Sequence, residues 1–295
     1  MEIGFLLNSC KVSCNVNLHG GNMSGIKQAL PNGPLSVVLM QVQYSPIVQI
    51  EKYIPAMQDY LRKNGYPLFT PIKGDMVRIE PHGETEKFVL AQWFFSSEDI
   101  QQTVIIDSDR ITFQVFNVQS YTYETILQSF LSIVKEFDAI VELSIFTRIG
   151  LRYINSILET PNTSWRILVA KEFQGPVFPM NVNWMENELC SFSSQKGVLL
   201  KDLNISSNFR LRMMQNSLGR KYPEDIQRIP LGEPEYFDPR SLVTYLDLDH
   251  YVLFTSAPKK NVFSRLSEVF RELHSVIEDV FFESLITDEA KKLWQ

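Results

Sequence analysis

Two helical apolar stripes, each closing a run of strand-like segments, constrain the fold of this chain more than any other feature. The first lies at 122–137, through Ile126, Leu127, Phe130, Val134 and Phe137. The second lies at 261–286, through Val262, Leu266, Val269, Phe270, Leu273, Ile277, Val280 and Phe281. Spacings of three and four put each set on one side of a helix, which must then be laid on another apolar layer. The strand-like segments supply that layer, so helices covering one face of a sheet are expected.

The pattern before each stripe is similar. Leu35, Val37, Leu39 and Gln41 alternate with Ser36, Val38, Met40 and Val42, a mostly buried strand that Ser45-Pro46 ends. Ile50, Ile54, Met57 and Leu61 then carry helical spacing up to Asn64-Gly65, and Pro55 predicts either a kink or a start near Ile54. Short strands are expected at 76–80, 88–96, 103–107 and 110–118, with turns at His82-Gly83 and Asp107-Ser108-Asp109. Thr122 suits the N-cap of the first striped helix. The second pass opens with a strand at 141–157. Residues 164–173 fit a short helix, although Trp165, Ile167 and Val169 also fit a strand. Strands at 182–192, 197–205, 209–215 and 242–253 follow, and the Pro- and Gly-containing stretch 216–240 is the one long irregular insertion.

The expectation is an α+β protein of two β-α-β-β-β-β-α units, 34–140 and 141–295, able to share one continuous curved antiparallel sheet. Such an arrangement resembles the saddle of the TATA-binding-protein fold. Residues 1–33, rich in Asn, Ser and Gly, are expected to form a flexible extension, with Met23 a plausible start of the folded protein.

Composition narrows the functional classes. A hydrophobic share of 44% against 21% charged predicts a sizeable core. A net charge of −6 argues against general nucleic-acid binding, which needs a basic excess, though a local basic patch could overrule it. No apolar run is long enough to span a bilayer, and three cysteines, an odd number, fit a reducing, cytoplasmic setting. Cys10, Cys14 and His19 have ligand-like spacing but lack a fourth partner, so neither a metal nor a cofactor is expected. The chain contains no Gly-x-Ser-x-Gly, no Walker loop and no Gly-x-Gly-x-x-Gly, and no catalytic residue is assigned.

Several side chains remain as candidates. Arg148 and Arg152 share one face of a strand, while Arg210 and Arg212 alternate with Phe209, Leu211 and Met213 on another. The four form either a strip for phosphate or a partner's carboxylates, or a set paired internally with Asp247 or Asp249. Asp247, Asp249 and His250 read as a metal or acid–base cluster, or as an outward polar row. Trp93, Phe94, Phe95 and Tyr153 read as base-stacking aromatics or as core. His274, beside Leu273 and Ile277, reads as a helix-flank or core histidine. Leu293 and Trp294 end the chain as a docking stripe for a partner or a second copy.

Five segments, Pro34-Leu35-Ser36-Val37-Val38, Trp93-Phe94-Phe95-Ser96, Arg148-Ile149-Gly150-Leu151-Arg152-Tyr153-Ile154-Asn155, Tyr245-Leu246-Asp247-Leu248-Asp249 and Phe282-Glu283-Ser284-Leu285-Ile286-Thr287-Asp288-Glu289-Ala290, occur in this order. Together they resemble a sporadically distributed prokaryotic family of uncharacterised proteins, over residues 34–294. That family usually begins just before its first strand, which agrees with Met23. The resemblance implies a fold and no settled activity. The functional expectation is therefore a non-enzymatic protein-interaction module, an antitoxin, immunity or phage-defence accessory protein whose partner is encoded nearby, with a homodimer also open. The alternative is a nucleic-acid or nucleotide binder working through the arginine strip.

Overall fold

A computed structural model of the chain describes residues 30–79, 85–161, 163–174, 186–200, 205–226, 228–229, 234–238, 241–258 and 262–295. Cys10, Cys14, His19, Met23 and His82 lie outside the described residues. The first half runs β1 (Leu35–Tyr44), a 3-10 turn at Ile50–Lys52, α1 (Ile54–Lys63), β2 (Leu68–Ile79), β3 (Thr85–Ser96), β4 (Gln102–Ile106), β5 (Arg110–Phe116) and α2 (Tyr123–Val141). Pro55 stands in the first turn of α1, where its missing N–H costs nothing, so the helix starts there rather than kinking. Thr122 caps α2 by accepting the amide hydrogen of Thr125. At the other end Glu142, with a left-handed φ of 58°, stops the helix.

The second half runs β6 (Ile145–Leu158), the one-turn α3 (Trp165–Leu168), β7 (Glu186–Leu200), β8 (Ile205–Asn216), β9 (Val243–Pro258), α4 (Leu266–Val280), a π-helical turn at Phe281–Leu285 and α5 (Asp288–Trp294). Two expectations change here. The strands expected at 182–192 and 197–205 merge into β7, because the polar stretch 193–196 keeps its ladder to β8 unbroken from Ser193↔Arg210 to Lys196↔Ser207. The helix expected at 261–286 is continuous through Leu285 but not α-helical throughout: a 3-10 turn at Phe263–Arg265 opens it, its last turn widens to π, and Ile286 turns extended to bridge Val169.

The strands form one nine-stranded sheet in the order β2-β3-β4-β5-β1-β6-β9-β8-β7, with every adjacent pair antiparallel. α1, α2 and α4 lie against it, and their stripes meet Val38, Met40, Val42, Phe113, Leu151 and Leu248 in the main core. Full burial of each such side chain contributes roughly 1.5–3 kcal/mol, so this layer supplies most of the stability. Among the described residues, no helix is long and apolar enough to cross a membrane.

The face opposite the helices is not simply open. The insertion between β8 and β9 folds back over it, and Tyr222 and Ile226 pack on Val37, Phe116, Ile154, Val243 and Tyr245 as a second cluster. The Tyr245 hydroxyl donates to the carbonyls of Arg220 (2.7 Å) and Tyr222 (3.0 Å), and Ser156 donates to that of Lys221 (2.7 Å). Arg228 reaches the first half, donating to the Ile100 carbonyl (2.8 Å) above the Phe116 ring, while Ser96 donates to the Ile229 carbonyl (2.9 Å). The turn that begins this insertion needs a glycine. Gly219 holds φ +73°, and a Cβ there would stand 2.0 Å from the Asp238 carbonyl oxygen.

An arginine–aspartate network on the helix-free face

Side chains alternate along a strand, so Arg148 and Arg152 of β6, Arg210 and Arg212 of β8, and Asp247 and Asp249 of β9 all emerge on the helix-free face. The register sets Arg152 across from Asp249, Arg212 across from Asp247 and Arg210 across from Asp249. Asp247 is the centre, with only 1% of its surface exposed. It accepts two parallel hydrogen bonds from Arg152, Nε to Oδ1 at 2.8 Å and Nη2 to Oδ2 at 2.9 Å. Arg212 adds Nε to Oδ2 at 3.0 Å. Arg152 turns its remaining nitrogen, Nη1, to Asp225 on the insertion.

Arg148 makes a parallel arrangement one step along the sheet. Its Nη2 donates to both oxygens of Asp249 at 2.9 and 3.0 Å, its Nη1 donates to Gln41 Oε1 at 2.8 Å, and its guanidinium lies 4.5 Å from the Tyr251 ring centre. Gln41 in turn donates to Thr112 (3.0 Å), so the network crosses five strands from β5 to β8. Three arginines face three carboxylates, Asp225, Asp247 and Asp249, and the patch is charge-balanced. Burial works against the charge on Arg152, but its bonds to Asp247 outweigh that and hold its pKa above the usual arginine value. Burial pushes the Asp249 carboxyl up, against the opposing pull of Arg148.

Gly150 makes the Arg148 arrangement possible. It sits between Arg148 and Arg152 on the same face, and a Cβ there would come within 2.4 Å of Arg148 Nη1. Gly150→Ala is therefore expected to push the guanidinium off Asp249 and cost about 1.5–3 kcal/mol, the range for a hydrogen bond to a charged group. Urea unfolding checks this. The cost should largely vanish when Arg148→Ala is already present; an unchanged cost would place its origin in the backbone.

The remaining candidates separate. Arg210 is exposed, and among the described residues no carboxylate pairs with it. His250 does not join the aspartates, because the alternation turns it to the helix side, where it is fully buried between Ser207 Oγ (2.8 Å) and the Leu273 carbonyl (3.0 Å). Among the described residues no group of three metal-ligating side chains is gathered. Trp93, Phe94, Phe95 and Tyr153 are all buried and cannot serve as a stacking platform. Leu293 is exposed, but Trp294 is buried, its ring nearly parallel to that of Phe281, so the docking stripe keeps only its leucine. Sequence reasoning missed Asp225, Gln41 and Tyr251. The strand alternation could have found the last two, which share the arginines' face, whereas nothing local marks Asp225.

No family model matches the chain, and no curated protein does.

Proposed function

We propose that the chain is a non-enzymatic protein-interaction module whose working surface is the helix-free face around β8 and β9. The observation that carries the reading is the internal neutralisation of Arg148, Arg152 and Arg212. Guanidinium forks already engaged by carboxylates are poor traps for phosphate, but a rigid, half-buried, charge-balanced patch suits a folded partner. Beside it stand the exposed Arg210, of a residue type enriched among interface hot spots, and Leu253, 59% exposed, whose apolar surface a partner would cover. Resemblance to a sporadic prokaryotic family supports an antitoxin, immunity or defence-accessory role in the cytoplasm, with a partner encoded nearby. The strand order supports reading the fold as a duplicated, TATA-binding-protein-like saddle: on each side of the β1–β6 pair, the last strand of a unit lies next to its first.

Co-expression with the products of the flanking genes, followed by size-exclusion chromatography, tests the reading. A complex should form and be lost in Arg210→Glu/Leu253→Asp, with the melting temperature of the isolated chain unchanged. A complex insensitive to that double substitution would move the interface elsewhere, and no complex with any flanking product would sink the proposal.

The nucleic-acid alternative makes an opposite forecast. Filter binding of a single-stranded oligonucleotide at low and moderate salt is expected to be weak, and unchanged by Arg148→Ala. A steep salt slope lost in that variant would reinstate the arginine strip.

A further inference from the structure

A cavity of about 560 Å³ lies on the other side of the sheet, where the two halves meet. Its floor is β1 and β6, its walls are α2 and α4 together with the segments 30–34 and 118–122, and the π-helical turn at Phe281–Leu285 closes one end. The pocket is open to solvent on one side, and its volume falls within the range of small-molecule sites, about 300–1,000 Å³. The helix irregularity has the same implication, since single π-helical turns occur frequently at functional sites. Here the turn brings both Phe281 and Phe282 to the cavity, their rings edge to face at 5.3 Å.

The chemistry of the lining narrows what it can hold. Most of it is apolar, and polar atoms come together where the buried Tyr153, the largely buried His274 and the partly exposed Glu278 meet. Tyr153 Oη lies 2.9 Å from His274 Nδ1, and Tyr123 stacks on the imidazole with ring centres 3.6 Å apart. Burial lowers the His274 pKa to about 4, so the ring is neutral at pH 7. With Tyr153 donating to Nδ1, the ring carries its hydrogen on Nε2, 3.5 Å from Glu278. Among the described residues, no lysine or arginine lines the cavity and Glu278 is its one formal charge. An anionic ligand is therefore disfavoured.

We propose that this cavity binds a small, largely apolar, uncharged molecule bearing a carbonyl or hydroxyl oxygen, with that oxygen turned to the Tyr153–His274 pair. The site is separate from the arginine–aspartate face and stands whether or not that face binds a partner.

Benzophenone, a neutral aromatic ketone that inserts into neighbouring C–H bonds on irradiation, serves as the probe, and 4-benzoylbenzoate as its anionic counterpart. Irradiating the full chain with benzophenone should give adducts concentrated at Leu35–Val38, Tyr123–Ile126 and Ile277–Phe282, located by peptide mass spectrometry. The anion should label these segments about tenfold less, the equivalent of about 1.4 kcal/mol in affinity. Ile126→Trp should fill the space and abolish these adducts while other surface labelling persists; if that variant does not fold, the wild-type map and the comparison of the two probes decide. Adducts scattered over the surface, or equal labelling of the cavity by both probes, would overturn the assignment.

Discussion

Asp247→Ala is expected to lower the free energy of unfolding by about 3–5 kcal/mol, the cost of removing one member of a buried ion pair. The carboxylate is almost wholly buried, and it is the shared partner of Arg152 and Arg212, whose side chains are 17% and 26% exposed. Truncation leaves both guanidinium groups largely out of water, with Asp225 able to meet only one of them. The loss is one of satisfaction rather than of net attraction, since a buried ion pair gains little over an apolar set of the same shape. Replacing the whole group, as Asp247→Leu/Arg152→Met/Arg212→Leu, should therefore recover most of the stability. Urea unfolding with an unchanged m-value measures both effects. A cost below about 1 kcal/mol for Asp247→Ala would mean that water reaches the arginines freely.

The second large effect concerns pH. His274 titrates near 6.5 when unfolded, and burial lowers it to about 4 in the fold. Between those values the unfolded chain binds a proton that the native chain does not, so stability is retained above pH 6.5 and declines as pH falls toward 4. The full shift corresponds to about 3 kcal/mol. Three groups face the ring: the stacked Tyr123, the Tyr153 hydroxyl and the Glu278 carboxylate, and of these the carboxylate favours the imidazolium most. Asp107 and Asp249, whose carboxyls burial pushes up, act in the opposite sense and gain stability as pH falls. The decisive quantity is thus the difference between wild type and His274→Gln. The stability gap should shrink or reverse in favour of the variant between pH 7 and 4. Parallel curves would show that Glu278 offsets the desolvation of the ring.

Much of the architecture was legible because it is written in local spacing. The stripes of α2 and α4 and the alternation in β1 and β5 each report which side of an element is apolar, and that requires no knowledge of neighbours. The same alternation placed Arg148 with Arg152 and Asp247 with Asp249. Applied to His250, it sets that residue on the other face of β9, which the reading of it with the aspartates as one cluster overlooked. The failures lie where a local signal is ambiguous. A polar run such as 193–196 reads as a turn unless its partner strand is known, and the stripe at 261–286 continues unbroken through a π-helical turn that spacing does not reveal.

Local spacing alone specifies the α+β class, the order of most elements and the division of each strand into an apolar and a polar face. All of these follow from backbone periodicity and the transfer of side chains from water. What the polar face amounts to depends on the assembled sheet. Strand order brought β6, β9 and β8 side by side, so that arginines from two strands met aspartates from a third. The insertion, whose path no periodicity encodes, then added Asp225 and covered the adjoining apolar patch. A charge's partner depends on which residues come within a few ångströms across the sheet, a relation between distant parts of the chain rather than a property of either.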